Sequence, residues 1–565
     1  MTILNYLFAL IPMLGLLIFV HEFGHFIVAK ACGVRVLKFS LGFGSPIGFG
    51  DMRLRWVRGG TEYVIAWFPL GGFVKMLGEQ MQGVQGEEDD GSVPDARPDE
   101  YLSAKPTWQK LAITFAGPVM NLLLPIVAFV GILAVGMPQL SPVVGMVEAH
   151  SPAVAAGLRA NDRVISIDGE AVTNWNGVAK AIRKHDDSPI HIRVLRKGDE
   201  LSFEIPVQIR SGMDEFGGVI EIGWIGVGHR RLPTMIGVPL ADSPAARAGL
   251  LSGDRVNLVG GAPVEDWETL AEVYAAANHG ASLAVSVERG IGDAVETVEL
   301  VVPAVATISE LGVIPAAVLV RDVSDDMPAK LAGLASGDLI LAVDGNPIGS
   351  FASFAEVVRT SGGRKLNITY ARNGETRQVE IAPVESKIPG PFDITGMEQV
   401  VYLIGITHGF PTLPGVQHIE KILNPLASIP RATRMTIERS ALFLRSMGKL
   451  ISGEVGLENV SGPIGIAEVA RKSLDMGWIV YINTMVFISI NLGFLNLLPI
   501  PILDGGQALI FMVEGIKRSP LSLRSREIAQ QIGLTFLFML MGLAFWNDLS
   551  RHWGNFVEWL RGTGL

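Results

Sequence analysis

Four stretches of this chain run long enough without a formal charge to cross a lipid bilayer, and they limit the fold more than any other feature. Residues 3–20 are an uncharged run of 18 residues; a hydrocarbon core takes about 20 residues of helix. Residues 111–147, 477–503 and about 528–546 are likewise free of charge. In lipid, backbone N–H and C=O groups must find partners inside the protein, so these runs are expected as α-helices. Composition agrees: 18% of the 565 residues are charged and 49% hydrophobic, against about 25% charged in soluble domains. That balance excludes a disordered or nucleic-acid-binding chain, and the net charge of −10 gives no reason to expect a polyanionic partner. Cys32 is the one cysteine, so any metal has to be held by His and carboxylates.

No Lys or Arg precedes the first run and no small-x-small cleavage site follows it, so it is expected to persist as a helix rather than to be removed as a signal peptide. Four spans put both termini on one side. Lys30, Arg35 and Lys38 flank one end of the first connecting loop, and Arg97, Lys105 and Lys110 the other. The third loop carries Lys517, Arg518, Arg524 and Arg526, while the C-terminal tail has only Arg551 and Arg561. The positive-inside rule then places loops one and three in the cytoplasm and both termini outside. The second loop, about 138–476, is external.

That loop repeats itself. Ser151-Pro-Ala-Val-Ala-Ala-Gly-Leu158, Ser243-Pro-Ala-Ala-Arg-Ala-Gly-Leu250 and Met327-Pro-Ala-Lys-Leu-Ala-Gly-Leu334 are offset by 92 and 84 residues. Each is followed by an Asp (Asp162, Asp254, Asp338), then by Asp168-Gly169, Gly260-Gly261 or Asp344-Gly345, and is closed by an aromatic (Trp175, Trp267, Phe351). The offsets suit three small domains, not a solenoid. Pro after Ser or Met starts a helix, the Gly of Ala-Gly-Leu fits a left-handed C-cap, and an alternating strand follows. The unit resembles a PDZ domain in its bacterial, protease-associated arrangement. Such domains take an extended peptide onto a sheet edge; the units could equally act as spacers. Gly260, in place of Asp, leaves the turn of the second unit open to a different conformation. Beyond about 385 the character changes. Residues 419–451 put apolar residues at helical spacing among Lys421, Arg431, Arg434, Arg439, Arg445 and Lys449, which reads either as a basic helix on the outer membrane surface or as a helix packed on the third unit.

Chemistry is carried by His21-Glu22-Phe23-Gly24-His25, an H-E-x-x-H pattern. On a helix both imidazoles share a face and can bind one zinc ion, with Glu22 beside a bound water as general base. Two His and a Glu at the end of a membrane run are costly unless paired or metal-bound. A catalytic zinc takes three protein ligands and keeps an open position. The best third ligand is Asp504, at the end of the third span in Asn496-Leu-Leu-Pro-Ile-Pro-Ile-Leu-Asp504-Gly505. The first and third spans run in the same direction, so Asp504 reaches the depth of His21 and His25. Pro499 and Pro501 break the helix just before it. Asn496 is assigned to holding substrate backbone, and Pro499 and Pro501 are grouped with it as substrate-binding residues. For Asn121, in Gly117-Pro-Val-Met-Asn121, hydrogen bonding to another helix is slightly favoured over a substrate role. In the first loop, residues 54–56 and 63–67 read as strands around Gly59-Gly60, continued by 68–74. This hairpin could dip toward the site and hold an unwound substrate on its edge, or be an ordinary surface hairpin.

Together these motifs closely resemble the site-2 protease family of intramembrane zinc metalloproteases, of the bacterial RseP type (peptidase M50-like). The resemblance rests on His21-Glu-Phe-Gly-His25, Gly71-Gly-Phe-Val-Lys-Met76, Gly117-Pro-Val-Met-Asn121, Ser461-Gly-Pro-Ile-Gly-Ile466, the segment from Asn496 to Gly505, and Met541-Gly-Leu-Ala-Phe-Trp-Asn547. It implies one Zn2+ ion on His21, His25 and Asp504, with Glu22 as catalytic base. It implies cleavage of single-pass membrane proteins such as anti-sigma factors and remnant signal peptides, in the bacterial inner membrane, with termini and PDZ-like units periplasmic. Family members usually carry two PDZ domains; this chain has three units, which puts the substrate range in doubt but not the chemistry. The expected fold is a multi-domain membrane protein: four transmembrane α-helices forming an intramembrane metalloprotease core, plus α+β PDZ-like domains in the external loop. Its parts are 1–137 and 477–565 (protease core), 138–210, 222–303 and 308–385 (PDZ-like), and 386–476 (linker with amphipathic helix). The partners are lipid bilayer, membrane-protein substrates and peptide ligands of the PDZ-like units, with no nucleic acid. Two rivals are a membrane-anchored PDZ scaffold with structural zinc or none, and a metal transporter. The first needs a fourth protein ligand that the sequence does not offer; the second needs polar residues along several spans, and the fourth has only Gln530 and Gln531 near its start.

Overall fold

The computed structural model describes the chain except for residues 1–2, 50–51, 79–95, 215–217, 278–279, 291–294, 390–397, 409–411, 458–459 and 563–565. It divides into two units, one built from Met1–Met137 with Lys421–Leu565 and the other from Pro138–Pro391 with Glu398–Glu420. The stretch 390–397 of the expected linker lies outside the described residues, and from Lys421 the chain already belongs to the membrane unit.

The membrane unit contains α1 (Ile3–Ala31), α2 (Thr107–Val135), α3 (Pro425–Ser452), α4 (Pro463–Asp475), α5 (Trp478–Asn496), α6 (Asp504–Lys517) and α7 (Leu523–Gly562). Four segments are long and apolar enough to span a membrane: Asn5–Ala31, Thr107–Val135, Trp478–Asn496 and Arg524–Ser550. α2 stops at Gly136, whose positive φ no β-branched residue would adopt and whose N–H closes onto the Ile132 carbonyl. Lipid offers no hydrophobic drive between helices, so close packing and a few polar contacts hold them. Phe129, Ile132 and Leu133 of α2 pack on Val486 and Ile490 of α5. Tyr481 donates to the Ala9 carbonyl at 2.6 Å, and Ser489 to that of Asn121 at 2.7 Å. α3 packs on α2 and α5 through Ala432 and Phe443. It is thus part of the membrane unit. α7 exposes Ile532, Phe538, Met539 and Trp546 along its length. Its far end is pinned by buried Asp548, which accepts from the backbone N–H groups of Gly462, Ile464 and Gly465 at 3.0–3.1 Å.

The first loop folds into strands β1 (Val36–Pro46), β2 (Arg55–Arg58) and β3 (Thr61–Met76), antiparallel in the order β1-β3-β2. Gly59 and Gly60 make the expected turn, both with positive φ. The expected hairpin is therefore part of a three-stranded sheet, in which residues 38–41 of β1 pair with both halves of β3, 62–65 and 72–75, and β2 pairs with 61–64 alone.

The external unit holds three copies of one four-stranded sheet plus a long helix. The aromatics expected to close each copy in fact open its long helix, at Trp175–Lys184, Trp267–Ala277 and Phe351–Arg359. The repeated Asp is the centre of each copy. Asp162, Asp254 and Asp338 are buried and paired with Arg196, Arg289 and Arg372 at 2.6, 2.7 and 2.6 Å. Each Arg also donates to the carbonyl of the Ala-Gly-Leu glycine at 2.8 Å. The turn of the second copy does not differ: Gly260 has the same left-handed φ as Asp168 and Asp344. What it lacks is the carboxylate that takes the N–H of His191 or Asn367 at 2.9 Å in its siblings. Each copy closes by bringing a later segment of the chain over the Ser/Met-Pro-Ala helix. The N–H groups of Ala153, Ala245 and Ala329 donate to the carbonyls of Ile225, Leu311 and Ile404. Ile225, Val313 and Ile404 belong to the three hydrophobic cores, so each core reaches past the segments 138–210, 222–303 and 308–385. The first and third copies also touch: Glu148, nearly buried, accepts from Ser350 Oγ at 2.8 Å and Ser353 Oγ at 2.6 Å.

Replacing Asp254 by Ala leaves Arg289 without its partner. Because that Arg is part-exposed, the expected cost is about 3 kcal/mol, the low end for a broken buried pair. Amide hydrogen exchange in Leu283–Arg289 of the full chain should accelerate; unchanged protection there would contradict the role given to the pair.

Candidate metal centre

His21 and His25 stand one turn apart on α1, both more than nine-tenths buried, on the face turned to α2. That face exists because α1 and α2 approach without side chains between them. A Cβ on Gly24 would lie 2.4 Å from the Ala116 carbonyl oxygen, and a Cβ on Gly117 only 2.3 Å from His25 Nε2 and 2.9 Å from His21 Cε1. The two imidazoles thus occupy the space a side chain at position 117 would fill.

Asp504 arrives from the other end of the chain. α5 stops at Asn496, the backbone turns through 497–503, and Asp504 opens α6. The expectation that Asp504 ends the third span is corrected here: it begins a separate helix, which the uncharged run ending at Leu503 does not reveal. A carboxylate is favoured at such an N-terminus by the helix dipole. The turn is tight: Cβ atoms at Gly505 and Gly506 would meet the carbonyl oxygens of Leu497 and Ile500 at 2.3 and 2.1 Å.

The three side chains converge. His21 Nε2 lies 3.1 Å from Asp504 Oδ2, His25 Nε2 lies 3.5 Å from Asp504 Oδ1, and the two Nε2 atoms are 3.3 Å apart. A tetrahedral zinc with bonds of about 2.0–2.1 Å separates its ligand atoms by roughly 3.3 Å. The separations, taken to the two oxygens of one carboxylate, are close to that value, and one ligand atom from each residue lies within 4.8 Å of the others, so the cluster fits a shared zinc. Among the described residues this cluster of potential ligands has three members, the number that leaves a catalytic zinc one open position.

Supporting contacts fix the rings. His25 Nδ1–H donates to the Ile113 carbonyl at 2.8 Å, which leaves Nε2 free for a metal. Asn121, fully buried, sits with its side-chain amide 3.2 Å from His21 Nδ1. Its backbone carbonyl takes the helix contact from Ser489. Glu22 is half-buried and within electrostatic reach of His21, His25 and Asp504. No protein group among the described residues donates a hydrogen bond to its carboxylate. A Cβ on Gly72 of β3 would lie 3.1 Å from Glu22 Cγ, so the sheet of the first loop runs beside this carboxylate. Asn496, Pro499 and Pro501 share the turn that delivers Asp504. Asn496 is half-buried without a hydrogen-bond partner among the described residues, and Pro499 is exposed. Pro501 is wedged between α6 and α7, 2.5 Å from a Cβ built on Gly506 and 3.2 Å from one on Gly533. The sequence reading quoted Gly24, Gly72 and Gly117 within motifs but gave them no role of their own, and Ile113 escaped it.

A buried H-E-x-x-H turn closed by a distant aspartate, among membrane-spanning helices, defines the class of membrane-embedded metallopeptidases. The chain belongs to peptidase family M50, whose model matches residues 9–540. It is similar to the regulator of sigma-E protease RseP of Escherichia coli, at 31% identity over 95% of this chain and 97% of that protein. It is also similar to protease RseP of Yersinia pestis, at 31% over 98% and 100%, and to a predicted zinc metalloprotease of Neisseria meningitidis, at 29% over 97% and 99%. A PDZ domain of an SdrC-like protein from Listeria monocytogenes matches 16% of this chain and 86% of its own, at 29% identity and a TM-score of 0.14. The protein is accordingly a zinc metalloprotease with a membrane-embedded helical core.

Gly117→Ala tests the close approach. The added methyl must push both imidazoles aside, so metal retention after dialysis against a weak chelator should fall at least about tenfold, the lower range for disturbing a metal ligand's support. Wild-type metal content would contradict it.

Proposed function

We propose that this chain hydrolyses peptide bonds within or beside the transmembrane helix of single-pass membrane proteins, with His21, His25 and Asp504 holding one Zn2+ and Glu22 as general base. The observation that carries the reading is the convergence of both imidazole Nε2 atoms, 3.3 Å apart, on the Asp504 carboxylate at 3.1 and 3.5 Å, assembled from residues 479 positions apart in sequence, 25 to 504. The ion supplies Lewis acidity that makes water a nucleophile near neutral pH and polarises the scissile carbonyl. Glu22 takes the proton of the attacking water and delivers it to the leaving amine; among the described residues no other donor engages its carboxylate oxygens. The ring contacts of His25 and His21 hold the imidazoles in place while this happens. A helix must be unwound before its peptide bonds can be cut, and β3 passing Gly72 beside Glu22 offers the freed segment a neighbouring strand. Asn496, at the mouth of the Pro499–Pro501 turn, is assigned to substrate backbone.

The Lys and Arg of the first and third loops support a cytoplasmic side for them, with termini and PDZ-like units periplasmic in a bacterial inner membrane. By likeness to regulators of sigma-E protease, anti-sigma factors and remnant signal peptides are the proposed substrates. The three PDZ-like units either bind extended peptides or exclude substrates with bulky external domains.

Glu22→Gln should keep its zinc and lose cleavage of a tagged single-pass substrate by at least about 100-fold. Wild-type-like turnover would remove Glu22 as the base. Asp504→Asn should lower zinc content, and an unchanged content by elemental analysis would remove Asp504 from the ligand set.

A further inference from the structure

Resting on that reading of the metal centre, we propose that Asn121 is the positioning residue of His21: its side-chain oxygen accepts the Nδ1–H of that imidazole and so presents Nε2 to the metal. Four observations meet at this residue. Asn121 is fully buried. Its amide is 3.2 Å from His21 Nδ1. Its Oδ1, as drawn with Nδ2 toward the ring, has no hydrogen-bond partner. Its backbone is held in place by Ser489.

The chemistry of a neutral imidazole decides between the two orientations of the amide. If Nδ2 donates to Nδ1, the ring proton sits on Nε2, which faces Asp504 Oδ2 at 3.1 Å. A ring bound to metal through Nε2 must carry its proton on Nδ1. Turning the amide by half a rotation places Oδ1 where Nδ2 stood, at the same distance, and gives Nδ1–H its acceptor. The turned amide gives Oδ1 a donor in the ring N–H, and Nδ2 takes the place where Oδ1 had none. The oxygen and nitrogen of an amide occupy the same volume, so no other atom has to move. Asn121 then does for His21 what the Ile113 carbonyl does for His25 at 2.8 Å. One ring is held by an acceptor fixed in the backbone of α2, the other by an acceptor that turns with the ring's tautomer. The contact made by Ser489 belongs to helix packing and is separate from it.

The test measures zinc affinity by chelator competition on the detergent-solubilised full chain, with no turnover involved. Asn121→Leu, of similar volume but with no acceptor, should weaken zinc binding about 10- to 100-fold, as loss of a ligand's outer partner does. Asn121→Asp, which can only accept, should recover most of that loss. Ser489→Ala should bind zinc like the wild type. Asn121→Leu matching the wild type, or Asn121→Asp binding as weakly as Asn121→Leu, would overturn the proposal. Should Asn121→Leu fail to fold, Asn121→Ser, too short to reach the ring, takes its place with the same two outcomes. A wild-type chain that binds no zinc would instead sink the metal centre itself, and the two failures are distinguishable on that ground.

Discussion

Two helices meet at Gly24 and Gly117 so closely that neither position has room for a Cβ, and the centre depends on that contact. It turns the i, i+4 spacing of two histidines into a shared pocket, because both rings are pressed into the gap at Gly117 and cannot drift apart. It also brings the Ile113 carbonyl and the Asn121 amide of α2 within bonding distance of the rings. A second contact of the same kind completes the site. Gly505 and Gly506 lie against the carbonyl oxygens of Leu497 and Ile500, which folds α6 back over the turn and aims Asp504 at the histidines. In lipid, where close approach replaces the hydrophobic effect as the force between helices, glycine is the natural residue for both contacts.

The external unit solves a different problem with a different device. Its three copies are small domains with modest cores, and each is tied by a carboxylate buried against a part-exposed arginine. That arginine bridges to the glycine that ends the first short helix. The pair fixes the position of one strand relative to the start of another, and the same arrangement recurs in copies whose surface residues have diverged. Exposed ion pairs elsewhere in the unit, such as Lys197 with Glu272, are screened and contribute little.

Much of this was legible in the sequence because it is written in periodicity. The four charge-free runs, the H-E-x-x-H spacing and the repeated Pro-Ala…Ala-Gly-Leu segments each depend on residues a few positions apart. Asp504 was reachable as a third ligand because Pro499 and Pro501 mark a break at the end of a span. What stayed hidden depends on contacts between distant residues. The partner of Asp162 is Arg196, 34 positions on, and no local pattern marks it. The closing segment of each PDZ-like unit, with Ile225, Leu311 or Ile404, lies beyond the repeat that announces the domain. Gly24 occupied one of the two free positions of its motif, and its importance follows only from the presence of Ala116 opposite. The separate helix α6 was hidden because its first turn follows an uncharged run without any polar cap at Leu503.

Asn121 divides its contacts: its backbone carbonyl takes the hydroxyl of Ser489, as any residue there could, while its side chain serves the histidine. The central claim, one zinc ion shared by two histidines and one aspartate, is tested most directly by X-ray absorption spectroscopy at the zinc edge on the purified, zinc-loaded chain. The account predicts one zinc per chain, with two imidazole nitrogens and the remaining positions filled by oxygen at about 2.0–2.2 Å. A sulfur scatterer from Cys32, or a shell without imidazole, would contradict it.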